Sequence, residues 1–172
     1  MALLAYPIEH YQHWRSLGLV LPDSGALGEN LTTAGLTEVD VHLGDVFRAG
    51  TCTVQVCQPR TPCYKLAARF GRTDMPVLVQ DTGYTGYLLR VLEQGHLGAG
   101  DRFVLLDRQD HGVTVAEAGR IVNVDRNDID GARRVLAVAA LGASVRRKLE
   151  QRLATDERLG LDTDRLFLDD EP

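Results

Sequence analysis

Apolar and polar residues alternate without a break from Thr51 to Gln58. Cys52, Val54 and Val56 share one face; Thr51, Thr53, Gln55 and Cys57 share the other. A period of two is that of a β-strand with one buried face. Val39, Val41 and Leu43 alternate in the same way, and Val46-Phe47 opens a further short strand after the Gly44-Asp45 turn. Tyr87 to Leu92 and Arg102 to Leu106 read as strands joined by the glycine-rich stretch Gly95 to Asp101, a hairpin connection. Gly44-Asp45 and Gly100-Asp101 each precede an apolar pair and predict two similar hairpins. The apolar stretch Ala2 to Tyr6 predicts a short strand with no obvious first partner.

Helical periods lie elsewhere. Pro7 suits a first helical turn, and Ile8, Tyr11, Trp14 and Leu17 follow at steps of three, so a short amphipathic helix should end near Gly18. Tyr64 to Phe70 predicts another, closed by Gly71. Asp74 to Gln80 is apolar but interrupted by Pro76. After His111-Gly112 the pattern changes. Thr114-Val115-Ala116-Glu117 is a capping-box signature for a helix to about Val122. Asp128 can cap a second helix, with Val135, Leu136 and Ala139 inward. Gly142 separates a third, where Val145, Leu149 and Leu153 recur every four residues. The expected organisation is α+β: a β-rich core over residues 1–112, a three-helix subdomain over 113–158, and an acidic tail over 159–172.

With 172 residues, 44% apolar and 25% charged, the chain is an ordinary globular domain with room for a real core. No apolar run approaches the ~20 residues that span a bilayer. The first residues, Met1 to Tyr6, lack the basic and long apolar regions of a signal peptide. Three cysteines argue against a disulfide framework, so a reducing, cytoplasmic setting is expected. A net charge of −5 predicts no general attraction to nucleic acid or membrane.

The candidate chemistry centres on Gln58-Pro59-Arg60-Thr61-Pro62-Cys63. Two prolines fix φ, remove backbone donors and push the preceding residues to extended conformations. A paired central strand is not expected there. The result is a stiff loop ending in a thiol flanked by Arg60 and Lys65, and nearby cations favour the thiolate. A structural thiol beneath a loop is the commoner role for cysteine; the prolines and cations shift the reading towards a site. Cys52 shares the valine face and reads as a small buried hydrophobe, while Cys57 fits either a barrel interior or a solvent face. Neither the cysteines nor His10, His13, His42, His96 and His111 have zinc-ligand or protease-like spacing. A second polar stretch, Gly28-Glu29-Asn30-Leu31-Thr32-Thr33-Ala34-Gly35, offers several donors to a polar ligand, or simply turns and caps. The three helices superficially suggest a helix-turn-helix, with Arg146, Arg147, Lys148 and Arg152 on the third. Over 114–158, nine Lys/Arg against seven Asp/Glu leave only +2, a thin footprint for phosphate binding.

Gly28-Glu29-Asn30-Leu31-Thr32-Thr33 together with Gln58-Pro59-Arg60-Thr61-Pro62-Cys63-Tyr64-Lys65-Leu66 resembles the MOSC family. Tyr6-Pro7-Ile8-Glu9-His10-Tyr11, Gly86-Tyr87-Leu88-Leu89-Arg90-Val91 and the helical tail are similar to its YiiM-like subgroup. The resemblance implies a barrel-like MOSC core with a C-terminal three-helix subdomain. It implies that Cys63 ligates the molybdenum of a pterin-based molybdenum cofactor. Arg60 and Lys65 would pair with its phosphate or pterin, and Asn30, Thr32 and Thr33 would bond the pterin edge. Glu29 would orient a neighbour, and Gln58 belongs to the same set. The implied reaction reduces N-hydroxylated compounds, including hydroxylaminopurine-type bases, with electrons from a flavoprotein reductase. The resemblance also implies a family-level association with pyridoxal phosphate, and a homodimer is expected.

Members of that subgroup carry several dozen residues, with early barrel strands and a His-Gly-Gly stretch, before the Tyr-Pro-x-Glu-His-Tyr segment. The resemblance therefore implies a pocket wall completed by residues outside this sequence or by a neighbouring subunit. Two other functions compete: a sulfur carrier holding a persulfide on Cys63, and a nucleic-acid-binding module built on the three helices.

Overall fold

The structure, a computed structural model, describes residues 2–167, with side chains through Asp156. Its centre is a curled six-stranded sheet. The strands are β1 (Ala2–Pro7), β2 (Leu31–Thr33), β3 (Val46–Ala49), β4 (Cys52–Pro59), β5 (Tyr87–Glu93) and β6 (Phe103–Asp107), ordered β2-β1-β5-β4-β3-β6. The apolar start finds two partners: β1 runs parallel to β2 and antiparallel to β5. Its burial on both sides explains why it reads as a continuous apolar run.

The alternation from Thr51 to Gln58 is β4, with Cys52, Val54 and Val56 inside the main core. A register shift between Val56 and Gln58 also turns Cys57 into a buried position, so a bulge resolves its ambiguity. The strand runs further than expected. Gln58 and Pro59 pair with Leu88 and Tyr87 of β5, because a proline at a strand's last position surrenders no essential ladder donor.

Two strand predictions are corrected. Residues 39–43 form no strand beyond a single bridge from His42 to Thr114. Asp40 Oδ2 accepts from Thr37 N at 2.9 Å and from its hydroxyl at 2.5 Å. That side-chain bonding stabilises a turn in place of a ladder and leaves Val39 exposed. The stretch Gly95 to Asp101 is also no hairpin, since β6 pairs with β3 and not with β5. His96 N donates to Thr51 Oγ1 at 2.8 Å, and Thr51 N donates to the His96 carbonyl at 2.9 Å. The stretch is thereby strapped across the β3–β4 turn. Gly50 sits in that turn at φ +57, and a Cβ there would lie 2.3 Å from the His96 carbonyl. The glycines serve this close approach.

The helices largely follow their caps. Ile8–His10 forms a 3₁₀ turn leading into α1 (Tyr11–Ser16), shorter than the periodicity suggests. Tyr11 and Trp14 are buried, while Ile8 and Leu17 are exposed. The next pair is α2 (Tyr64–Phe70), closed by Gly71 at φ +62, and α3 (Met75–Thr82), with Pro76 in its first turn. Thr114 caps α4 (Val115–Gly119) by accepting from Glu117 N, and α4 continues as a π-helical turn over Arg120–Val124. Asp128 caps α5 (Ile129–Ala137) by accepting from Gly131 N. The last helix, α6 (Ala143–Phe167), runs past the predicted boundary at 158, so residues 159–167 continue it. The remainder of the predicted acidic tail lies outside the described residues. Among the described residues no helix is long and apolar enough to cross a membrane.

Two apolar clusters hold these parts. The main one joins one face of the sheet to α4, the π turn, α5 and α6. The smaller one gathers Tyr6, Tyr11, Trp14, Ala26, Leu27, Leu66, Met75 and Val79. It packs the polar stretch before β2 against the helix that follows Cys63.

Candidate functional site

Cys63 occupies the N-cap position of α2 in extended backbone, φ −145 and ψ 171. Of the three thiols it is exposed and the other two are buried. Cys57 donates to the Leu88 carbonyl at 3.1 Å, and burial pushes its thiol up from its ordinary range. The segment leading to Cys63 is pinned from two sides. Arg60 N donates to the Gly86 carbonyl at 3.0 Å. Asn123, in the π turn, donates to the Arg60 carbonyl at 3.3 Å and accepts from the Thr61 hydroxyl at 3.2 Å.

Facing it is a lip made of residues 24–33, tied down by arginines and one carboxylate. Arg60 Nη1 donates to the Leu27 carbonyl at 2.9 Å. Arg69, in the last turn of α2, donates to the carbonyls of Ala26 at 2.6 Å and Gly25 at 2.7 Å. Glu29 is buried; it accepts from the Tyr11 hydroxyl, from Leu27 N at 2.9 Å and from the Thr32 hydroxyl at 3.1 Å. A buried carboxylate with three donors is satisfied and fixes its surroundings. Burial holds the Arg60 guanidinium below its ordinary value, while the Glu29 carboxylate nearby opposes the shift.

The structure joins some of the predicted residues and separates others. Arg60, Glu29 and Thr32 belong to one network across the lip. Asn30 is exposed, but its Oδ1 accepts from Leu4 N at 2.9 Å, so it extends the strand pairing of β1. Thr33 is buried with an unpartnered hydroxyl among the described residues. Lys65 is exposed beside Cys63 in sequence. Gln58 turns away: its Oε1 accepts from the Ser144 hydroxyl at 3.0 Å, and it packs on Gly142. Gln58 therefore ties the sheet to α6. A groove of about 860 Å³ runs along the open sheet edge, between the lip (Glu29, Asn30, Thr32, Thr33) and the stretch Leu97 to Phe103. Neither Cys63 nor Arg60 lines that groove.

Asn123 and Arg69 act in this region without having been singled out in the sequence, where Tyr11 stands only as a helix position and as part of the family motif. Asn123 carries a usable signal, a lone amide inside the apolar run Ile121-Val122-Asn123-Val124, where a polar group must be bonded. Arg69 and Tyr11 carry none, because their partners are backbone or lie far along the chain.

The basic residues of the helical region are largely spent internally. Arg146 donates to the carbonyls of Leu136 and Val138, at 3.0 and 2.9 Å. Arg152 donates to those of Ile121 and Val122, at 2.8 and 3.2 Å.

A curled six-stranded half-barrel sheet with a helical appendage defines a mixed α/β half-barrel class. The MOSC domain matches residues 1–104, and the YiiM-like 3-alpha helix domain matches 113–156. The chain belongs to the MOSC domain family, in its YiiM-like branch. It is 46% identical over 145 residues to the uncharacterized protein YflK of Bacillus subtilis, covering 84% of this chain and 66% of that one. It is 41% identical over 157 residues to protein YiiM of Escherichia coli, covering 88% and 68%. A stretch of 111 residues is 36% identical to a reductase of Gibberella moniliformis, covering 62% of this chain and 20% of that one. Among solved structures, YiiM from Geobacillus stearothermophilus superposes with a TM-score of 0.84 at 39% identity, covering 88% of this chain and 77% of that one. The chain spans about two thirds of the length of the curated relatives YflK and YiiM.

Proposed function

We propose that this chain is the molybdenum-cofactor-binding part of an oxidoreductase that reduces N-hydroxylated compounds. One observation carries the proposal: of three thiols, only Cys63 is exposed, and it stands on a loop pinned to the lip by Arg60. The residues present fit the group. A soft thiolate suits a high-valent transition metal. Among the described residues no three His, Cys, Asp or Glu side chains converge on a metal. A metal here would thus take Cys63 as its protein ligand and its other ligands from an organic cofactor. Arg60 and Arg69 each keep guanidinium donors beyond those spent on carbonyls, and with Lys65 they would meet an anionic phosphate.

When bound, the cofactor supplies the two-electron chemistry that removes the hydroxyl oxygen. The chain's own residues do the holding. Asn123 and Gly86 fix the loop that carries the thiol. Glu29 and the two arginines keep the lip in register with it. Electrons would come from a flavoprotein reductase, and a hydroxylaminopurine-type base is the expected substrate class.

The test is metal analysis of protein made in a cofactor-producing host, using a chain that spans its relatives' full length. The expected result is about one molybdenum per chain, lost in Cys63→Ser. Absence of molybdenum together with a cyanide-labile sulfur on Cys63 would replace this reading with persulfide transfer.

A further inference from the structure

The chain carries 24 acidic against 19 basic residues, and its arginines readily find partners. Arg108 and Arg134 meet carboxylates at 2.6 and 2.7 Å. Arg90 and Arg146 donate to backbone carbonyls. One group departs from this pattern. Arg126 follows the π turn, and Lys148 and Arg152 stand four residues apart on α6. Side chains at that spacing share a helix face, where like charges repel. Among the described residues no carboxylate is paired with Arg126, Lys148 or Arg152.

Arg152 anchors the group. Its Nη1 donates to the Ile121 carbonyl at 2.8 Å and its Nη2 to the Val122 carbonyl at 3.2 Å. The fork is thus fixed at the π turn, and its other N–H donors are uncommitted. Asp125, the acid beside Arg126 in sequence, is already engaged: its Oδ2 accepts from Arg120 at 2.7 Å and its Oδ1 from Asn127 N at 3.3 Å. Lys148 is half-buried. Burial, and then the nearby Arg126 and Arg152, hold its ammonium below the ordinary lysine value. Burial and Arg126 pull Arg152 down as well, against Asp125. Three cations that crowd one another gain most from a ligand with two negative charges spread over several oxygens. A phosphate group is close to that charge above pH 7, because its second pKa is about 6. Two of its oxygens can face a guanidinium fork and a third the ammonium. A carboxylate has one charge and two oxygens to offer.

We propose that Arg126, Lys148 and Arg152 form a binding site for a dianionic phosphate group, free or as the monoester of a small molecule. The site lies between the π turn and α6 and uses none of the arginines that tie the lip. The π turn is shared: Ile121 and Val122 give their carbonyls to Arg152, while Asn123 bonds the thiol loop at Arg60 and Thr61. The inference does not depend on the molybdenum reading.

Lys65 and Lys148 are the chain's only lysines, so carbon-13 NMR of the full chain with labelled lysine Cε gives two signals, assigned through Lys65→Arg. At an ionic strength held constant with sodium chloride, millimolar ribose 5-phosphate should move the Lys148 signal and leave that of Lys65 in place. Sodium acetate should move neither. Arg126 is exposed, so Arg126→Gln should leave the urea midpoint unchanged while weakening ribose 5-phosphate binding about tenfold, the usual weight of one charge-assisted hydrogen bond. Cys63→Ser should bind as the parent does, whether or not the parent carries metal. Inorganic phosphate separates the two sources: equal affinity assigns the site to free phosphate, and weaker affinity than ribose 5-phosphate assigns it to an ester. No movement of Lys148 with either phosphate would overturn the proposal, as would movement of Lys65 alone or unaltered affinity in Arg126→Gln. A shift produced by duplex DNA and by neither small phosphate would overturn it in favour of nucleic acid.

Discussion

The Arg60 guanidinium donates to the Leu27 carbonyl at 2.9 Å across 33 residues of sequence, from the thiol loop to the lip. The same residue's backbone is held by Gly86 and Asn123, so its side chain leaves from a fixed point. Removing it strands a part-buried carbonyl, which costs about 1–3 kcal/mol. Arg60→Ala should lower the urea midpoint accordingly and speed proteolytic cleavage between residues 23 and 29. Arg60→Lys keeps the charge but not the planar fork. Its midpoint should fall between those of the parent and Arg60→Ala.

Glu29 accepts from three donors, the Tyr11 hydroxyl, Leu27 N and the Thr32 hydroxyl. An amide in its place must aim its NH₂ group at one of those donors, leaving it unpaired. Glu29→Gln should therefore cost about 1–3 kcal/mol in urea unfolding. Because the lip shares the small core with α2 through Leu27 and Leu66, tryptophan fluorescence from Trp14 in that core should shift as well. An unchanged midpoint and spectrum would contradict the structural role given to this carboxylate.

A Cβ on Gly142 would lie 2.0 Å from Gln58 Oε1 and 2.9 Å from Gln58 Cδ. Gln58 is buried and bonded to Ser144, so it has little room to yield. Gly142→Ala should destabilise the fold by about 1–3 kcal/mol, the usual cost of overpacking. If the clash with Gln58 is the cause, the double variant Gly142→Ala/Gln58→Ala should recover part of the loss. A strictly additive pair, measured by thermal unfolding, would place the cause elsewhere.

Much of this architecture was legible where a residue's partner is local. The Thr114 and Asp128 caps, the Gly71 stop and the β4 alternation were readable because each is decided within about four residues. The failures share the opposite property. Gly95 to Asp101 reads as a hairpin until His96 is seen bonded to Thr51, and β6 then belongs to β3. Val39 to Leu43 alternates like a strand, but Thr37 and Asp40 turn the chain. At the site, Cys63 and Arg60 were found through prolines and charge. Gln58 sits in the same motif and faces the helical region, because a bulge after Val56 reverses the expected direction. Asn123 joins the thiol loop from 62 residues away, a distance no local pattern encodes.

His42 provides a pH test of the junction between sheet and helices. It bridges to Thr114, its Nδ1 is sealed without a partner among the described residues, and burial pulls its pKa down, with Arg108 and His111 adding to the shift against the opposing Asp45. A histidine whose folded pKa lies below its unfolded value binds a proton more readily when unfolded. Its contribution to stability is therefore complete at pH values above the ordinary histidine range. It is lost as the pH falls through about 6.5 towards the lower folded value. In His42→Asn this source of proton uptake on unfolding is absent. Urea unfolding at pH 7.5 and 5.5 should show a larger loss of stability for the parent than for the variant. Equal losses would mean that His42 is not the titrating group.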